Sequence, residues 1–256
     1  MAEKLNNLNG KIANRVDGIY GGFFSSKAMY KNRNWLIILN VITDIVMVGI
    51  LFGGLLGKEF TISSLGAILA TFGVIFLAYG SMLSFPFNMA QNVTWFITAM
   101  TLGFYADVPM AIAYLVTQAL AIRKWKTKRT GGVPKVETWD FKSIIKMGVG
   151  IVVLTIVIAF LSDYYGGNQV WLDSINNSTA IIAQIFQMGL SPLGNWMWLL
   201  TDVLQFAQYG KAVQLGEAIA WGAMIQTIVQ TVNAFRSIIN WHFMPKVTAE
   251  EKSKWL

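Results

Sequence analysis

The residues with chemistry to offer sit inside apolar runs. In GNWMWLLTDVLQ (194–205) an asparagine, two tryptophans and an aspartate interrupt a stretch otherwise suited to hydrocarbon, where an idle polar group costs several kcal/mol. Asp202 follows Trp198 by four residues, so the two share a helix face with Thr201 adjacent. Asn195 precedes Trp198 by three and joins that face. The face therefore presents an amide, an indole, a hydroxyl and a carboxylate. Asn92, Trp95 and Thr98 make a second such face without the acid, with Gln91 beside it. Further polar groups come from later helices, Tyr114 and Gln118 in one and Gln226, Gln230 and Asn233 in another.

Enzymatic chemistry fails on this inventory. The sequence has one histidine, His242, and no cysteine, so paired-histidine, thiolate and disulfide chemistry are excluded. It has no zinc-helix motif, no Ser-His-Asp set and no phosphate-cradling glycine loop. A retinal Schiff base would need a lysine near the middle of a span, and none is there. Neither a metal nor a cofactor is expected. Two readings of the polar residues remain. Buried amides can simply hold helices together, each interhelical hydrogen bond contributing roughly 0.6 to 2 kcal/mol, and Trp35, Trp125, Trp196 and His242 read as residues of the membrane interface. Alternatively, Trp95 and Trp198 face each other as an aromatic clamp flanked by amides, suited to a flat and above all a positively charged ring. Asp202 is then a counter-ion or an acceptor for sugar hydroxyls. Asp44, four residues after Asn40, reads as a structural or oligomer contact.

The elements that must position these residues are membrane helices. The chain is 55% hydrophobic and 13% charged over 256 residues, about half the charge fraction of a soluble domain. Apolar runs bounded by turn signals predict eight spans at about 35–56, 63–83, 87–104, 107–123, 143–162, 175–190, 194–209 and 213–238. Pro86 and Pro192 forbid continuous helix across two of the links. With the N-terminus inside, 18 of the 20 lysines and arginines fall on the inner side and only Lys58 and Lys211 outside, so N-in and C-in is expected. The net charge of +7 is then topological rather than a nucleic-acid patch.

Asn92-x-x-Trp95 and Asn195-x-x-Trp198 are each followed by a threonine, Thr98 and Thr201, and their three-helix units end in Trp125 and Trp241. The expected organisation is all-α and polytopic, with two parallel three-helix repeats joined by a linking helix after one extra helix (1+3+1+3). Its parts are a cytoplasmic lead (1–34, with an interfacial helical portion), an extra helix and outer loop (35–62), a first repeat (63–125), a connector with linking helix and outer loop (126–174), a second repeat (175–241) and a cytoplasmic tail (242–256).

FYADVPMAIAYLVTQALAIRKW (104–125), NAFRSIINW (233–241) and NWMWLLTDV (195–203) together resemble stretches of the PnuC family of bacterial vitamin transporters, over about 63–241. The resemblance implies a site at mid-membrane between the two triplets, lined by Asn92, Trp95, Gln118, Asn195, Trp198 and Asp202. It implies uptake of nicotinamide riboside by facilitated diffusion across the bacterial inner membrane, made one-way when a cytoplasmic kinase phosphorylates the substrate, and a homotrimer. The residues nominate Asn92, Trp95, Tyr114, Gln118, Asn195, Trp198, Thr201, Asp202, Gln230 and Asn233 for contact with a substrate, which the resemblance implies is a vitamin or nucleoside. Leu199 and Leu200 make the second tryptophan segment less aromatic than the family pattern, which leaves thiamine, a riboflavin-like molecule or a deoxynucleoside as alternatives. A non-transporting membrane scaffold is the rival from another class.

Overall fold

A computed structural model describes residues 34–127, 129–130, 133–137, 141–244 and 246. The expected lead and most of the tail lie outside them. Among the described residues there are eight helices: α1 (Asn34–Leu55), α2 (Ile62–Ala78), α3 (Ser84–Leu102), α4 (Asp107–Thr127), α5 (Phe141–Tyr164), α6 (Val170–Met188), α7 (Leu193–Gln214) and α8 (Ala220–His242). A two-residue hairpin, β1 (Arg129–Thr130) and β2 (Val133–Pro134), lies between α4 and α5.

Six helices close a ring. α2 packs on α3 and α8, α3 on α4, α4 on α6, α6 on α7, and α7 on α8. Exchanging the triplet α2–α3–α4 with α6–α7–α8 leaves this list of contacts unchanged. The remaining two helices stand outside, α5 against α6 and α1 against α8 and α2. These outer helices are the ones long and apolar enough to cross a bilayer on hydropathy alone, over Trp35–Leu55 and Ile144–Tyr164. Of the ring helices, α2 is apolar but short at 17 residues, and the others are made less apolar by the polar residues they carry, while Ile38, Ile45, Val152 and Phe160 on the outer pair are exposed.

The links α2–α3 and α6–α7 are built alike. Ser81 N–H donates to the Phe76 carbonyl and Ser191 N–H to that of Phe186, both at 2.9 Å. The two serine hydroxyls accept from Leu83 N (3.3 Å) and Leu193 N (3.4 Å). The residue before each serine is left-handed, Gly80 at φ 68° and Leu190 at φ 61°. Counting on equally from the serines sets Asn88 against Trp198 and Trp95 against Gln205. The pairing of Asn92 with Asn195 and Trp95 with Trp198 expected from N-x-x-W is therefore displaced: similar letters occur at different heights of α3 and α7. The last break also moves. It falls at 215–219, with Gly216 at φ 87°, and Gly210 stays helical because one mid-helix glycine costs only about 1 kcal/mol.

α1 is fastened to α8 by polar contacts spread along its length. Asn40 and Asn240 exchange amide hydrogen bonds of 3.1 and 2.8 Å, Asp44 pairs with Arg236, and Trp221 Nε1 donates to the Gly54 carbonyl at 2.8 Å. The reading of Asn40 and Asp44 as a structural contact holds within one chain. α2 and α8 meet at Gly222, where an added Cβ would lie 2.6 Å from the Ser63 carbonyl carbon and the Ser64 nitrogen.

Because those neighbours are backbone, Gly222→Ala must part α2 from α8. The expected loss is about 1 to 3 kcal/mol, read as a lowered unfolding temperature of the detergent-purified chain. Gly49→Ala, at a mid-helix glycine with open space around it, should not lower that temperature and should gain up to about 1 kcal/mol.

Candidate functional site: an uncharged cavity inside the ring

Helical spacing aims the amides into the ring. Asn88, Asn92 and Trp95 follow each other at four- and three-residue steps on α3, with Gln91 four residues before Trp95, and all four line the cavity. Met110, Tyr114 and Gln118 do the same on α4, and Gln226, Gln230 and Asn233 on α8. α6 contributes Gln184 and Gln187, and α7 contributes Asn195, Trp198 and Gln205. These faces enclose ≈ 680 Å³ of space not filled by atoms, counting the mouth. Eleven of the eighteen lining residues are asparagine or glutamine, and none is charged.

The aromatic walls are held from behind. Trp198 Nε1 donates to Gln187 Oε1 at 3.0 Å, and Tyr114 meets Trp198 edge-on with ring centroids 5.7 Å apart. Trp95 meets Tyr209 in the same way at 5.4 Å. Several buried polar atoms around the space have no partner in the protein, among them Asn92 Nδ2, Gln118 Oε1, Gln226 Nε2 and the Tyr114 hydroxyl. Buried polar groups are nearly always hydrogen-bonded, so this set is complementary to a guest that brings both donors and acceptors.

Of the residues nominated from sequence, Asn92, Trp95, Tyr114, Gln118, Asn195, Trp198, Gln230 and Asn233 line this one cavity. Thr201 and Asp202 do not. The Thr201 hydroxyl is satisfied by the Met197 carbonyl one turn back, at 3.0 Å, and the Asp202 carboxylate is packed away at 1% exposure. Sequence reasoning missed Asn88, Gln184, Gln187 and Gln205. Their signal was available, since each sits one helical turn from a nominated or neighbouring amide. Trp125, expected at the membrane interface, is instead 1% exposed, packed edge-on against Phe85 at 5.4 Å and beside Trp241 at 6.0 Å. Trp35 and Trp196 are exposed as expected.

The two ends of the ring are built differently. At the Trp125 end, Leu36, Phe85, Trp125, Val136, Leu190 and Trp241 form an apolar plug. Glu137 ties it to the α6–α7 link: its N–H donates to the Leu190 carbonyl at 2.9 Å, and its carboxylate meets Lys124 at 3.2 Å. A smaller pocket shares Gln118, Gln184 and Gln187 with the cavity and reaches on to Phe85 and Trp125. At the other end a polar knot binds α4, α6 and α7. Asp173 Oδ1 accepts from Asn177 Nδ2 (2.8 Å) and Gln208 Nε2 (2.9 Å), its Oδ2 accepts from Ala106 N (3.1 Å), and the Tyr209 hydroxyl donates to Asp107 Oδ2 (3.2 Å). Sequence reading gave these two acids no role.

Comparison with known proteins matches residues 60–243 to the family model described as nicotinamide mononucleotide transporter. Among solved structures, the crystal structure of the vitamin B3 transporter PnuC is similar, with a TM-score of 0.61 and 16% identity, covering 81% of this chain and 88% of that one. No curated protein matches the chain. At that identity the structural likeness speaks for the fold, and the family model spans most of the chain and all six ring helices.

Tyr209→Phe removes the hydroxyl that Asp107 Oδ2 accepts from and leaves a buried carboxylate short of a donor. A loss of about 1 to 3 kcal/mol is expected, seen as a lower unfolding temperature. Tyr164→Phe, at an exposed position, should change it little.

Proposed function

The chain belongs to the nicotinamide mononucleotide transporter family, and from that premise we propose that it carries nicotinamide riboside, the nucleoside without its phosphate. The carrying observation is the uncharged lining. A phosphate in this cavity would lose its water and meet no lysine, arginine or histidine among the lining residues, a desolvation cost that hydrogen bonds to amides do not offset. A riboside presents a carboxamide, sugar hydroxyls and a flat pyridinium. Amides satisfy the first two, and indole faces attract the third. Trp95 and Trp198 are the stacking walls, with Asn92, Asn195, Gln118, Gln230 and Asn233 as hydrogen-bonding partners. Counting from Ser81 and Ser191 sets the two tryptophans at different heights, and each is braced by its own tyrosine.

The ring supports the mechanism. We read it as a duplicated triplet whose halves rock about the α2–α3 and α6–α7 links, exposing the cavity to each side in turn. The Trp125 end faces the cytoplasm on the lysine and arginine distribution, which sets the apolar plug as the inner gate and the Asp107–Asp173 knot as the outer one. Flow is passive, and phosphorylation by a cytoplasmic kinase would trap the product, because the phosphorylated form no longer suits the cavity. The bacterial inner membrane and a homotrimer complete the reading.

Calorimetry on the purified chain should show saturable binding of nicotinamide riboside and at least about a hundredfold weaker binding of the mononucleotide. Equal or tighter mononucleotide binding overturns the choice of cargo. Trp198→Ala should weaken riboside binding about tenfold or more, and wild-type affinity in that variant would remove the stacking wall. In sealed vesicles at zero voltage, uptake should stop at equal concentrations. Accumulation that follows a proton or sodium gradient would refute passive flow.

A further inference from the structure

Arg236 is the one basic side chain buried among the described residues, at 2% exposure. It stands one helical turn beyond Asn233, a lining residue of the cavity, and its Nη2 donates to Asn233 Oδ1 at 2.6 Å. With its oxygen engaged, Asn233 offers the cavity its Nδ2. The other arm of the guanidinium, Nη1, pairs with Asp44 Oδ1. The second Asp44 oxygen accepts from the Tyr79 hydroxyl at 2.6 Å, and the Tyr79 ring lies 5.5 Å from the guanidinium carbon. A chain of contacts therefore runs from α1, outside the ring, through α8 to the cavity wall. α1 also lies outside the residues that the family model matches.

Charge gives this chain of contacts its consequence. A guanidinium held permanently charged beside an uncharged cavity would repel a cation there and attract an anion. Asp44 cancels that field at its source. We propose that Asp44 is a specificity-determining residue: by neutralising Arg236 it keeps the cavity permissive for a cationic ring, while Arg236 acts as a positioning residue that turns the Asn233 amide N–H toward the substrate. The proposal rests on the cavity being the site of a pyridinium nucleoside. It assigns to the extra helix a part in substrate choice as well as in packing.

Binding by the full-length chain in detergent tests it with three probes: nicotinamide riboside, its neutral dihydropyridine form, and the mononucleotide. Asp44→Asn should weaken the cationic riboside about tenfold or more and the neutral form less than about threefold, with the mononucleotide gaining relative to both. Asp44→Asn/Arg236→Gln, which removes both charges, should restore the wild-type ratio of cation to neutral affinity. A packing defect alone would weaken the cationic and neutral forms together, and that outcome, or an unchanged cation affinity in Asp44→Asn, overturns the proposal. Where Asp44→Asn fails to fold, Asp44→Glu decides. It keeps the charge while disturbing the fit, so the ratio should stay at the wild-type value, and a shifted ratio overturns the proposal. A wild-type chain that binds none of the three probes would instead overturn the reading of the cavity, before any variant is compared.

Discussion

An amide group in hydrocarbon must find a partner or face a cavity, and the architecture follows from how this chain meets that constraint. Asparagines and glutamines on the ring helices recur at three- and four-residue steps, too regular for scattered helix glue, and converge on one space. Turning them inward leaves the outer surface of the ring apolar enough for lipid. The helices that carry no such burden, α1 and α5, can be apolar throughout and stand outside. A cavity lined by amides is thus the interior solution to a problem of solvation, and a ligand that supplies the missing partners is its complement.

Polar contacts outside the cavity obey the same constraint and do mechanical work with it. The Asn40–Asn240 exchange and the Asp44–Arg236 pair each join α1 to α8, so α1 docks by a register-specific set of bonds instead of by greasy surface alone. The knot around Asp173 fixes three helix ends to one another, and the apolar plug at the opposite end relies on ring packing around Trp125. The two ends are therefore held together by different means, one by hydrogen bonds and one by dispersion and apolar contact.

Much of this was legible in the sequence. Eight apolar runs give eight helices, because span length and composition are dictated by the bilayer, and helical spacing alone brought eight nominated side chains to one cavity. Register between the halves was not legible. N-x-x-W occurs twice, but the equivalent turns are anchored by Ser81 and Ser191, whose hydrogen bonds no letter pattern advertises. Trp125 was misread because a tryptophan beside a basic cluster has the signature of an interfacial belt, and only the approach of Phe85 and Trp241 buries it. Asn88, Gln184, Gln187 and Gln205 were passed over one at a time, although their common spacing carried the signal. Asp44 was legible as a structural contact, but its partner was not, since Arg236 lies 192 positions away.

The two left-handed residues at the matched links are unequal. Gly80 adopts that conformation at no steric cost, whereas Leu190 carries a side chain that disfavours it by roughly 1 to 2 kcal/mol. Leu190 is nonetheless fully buried in the apolar plug, and its carbonyl is held by the Glu137 N–H. The connector thus holds the α6–α7 link in a conformation that its leucine disfavours, while the counterpart at Gly80 needs no such hold. Two links alike in their hydrogen bonds are thereby unequal in backbone cost.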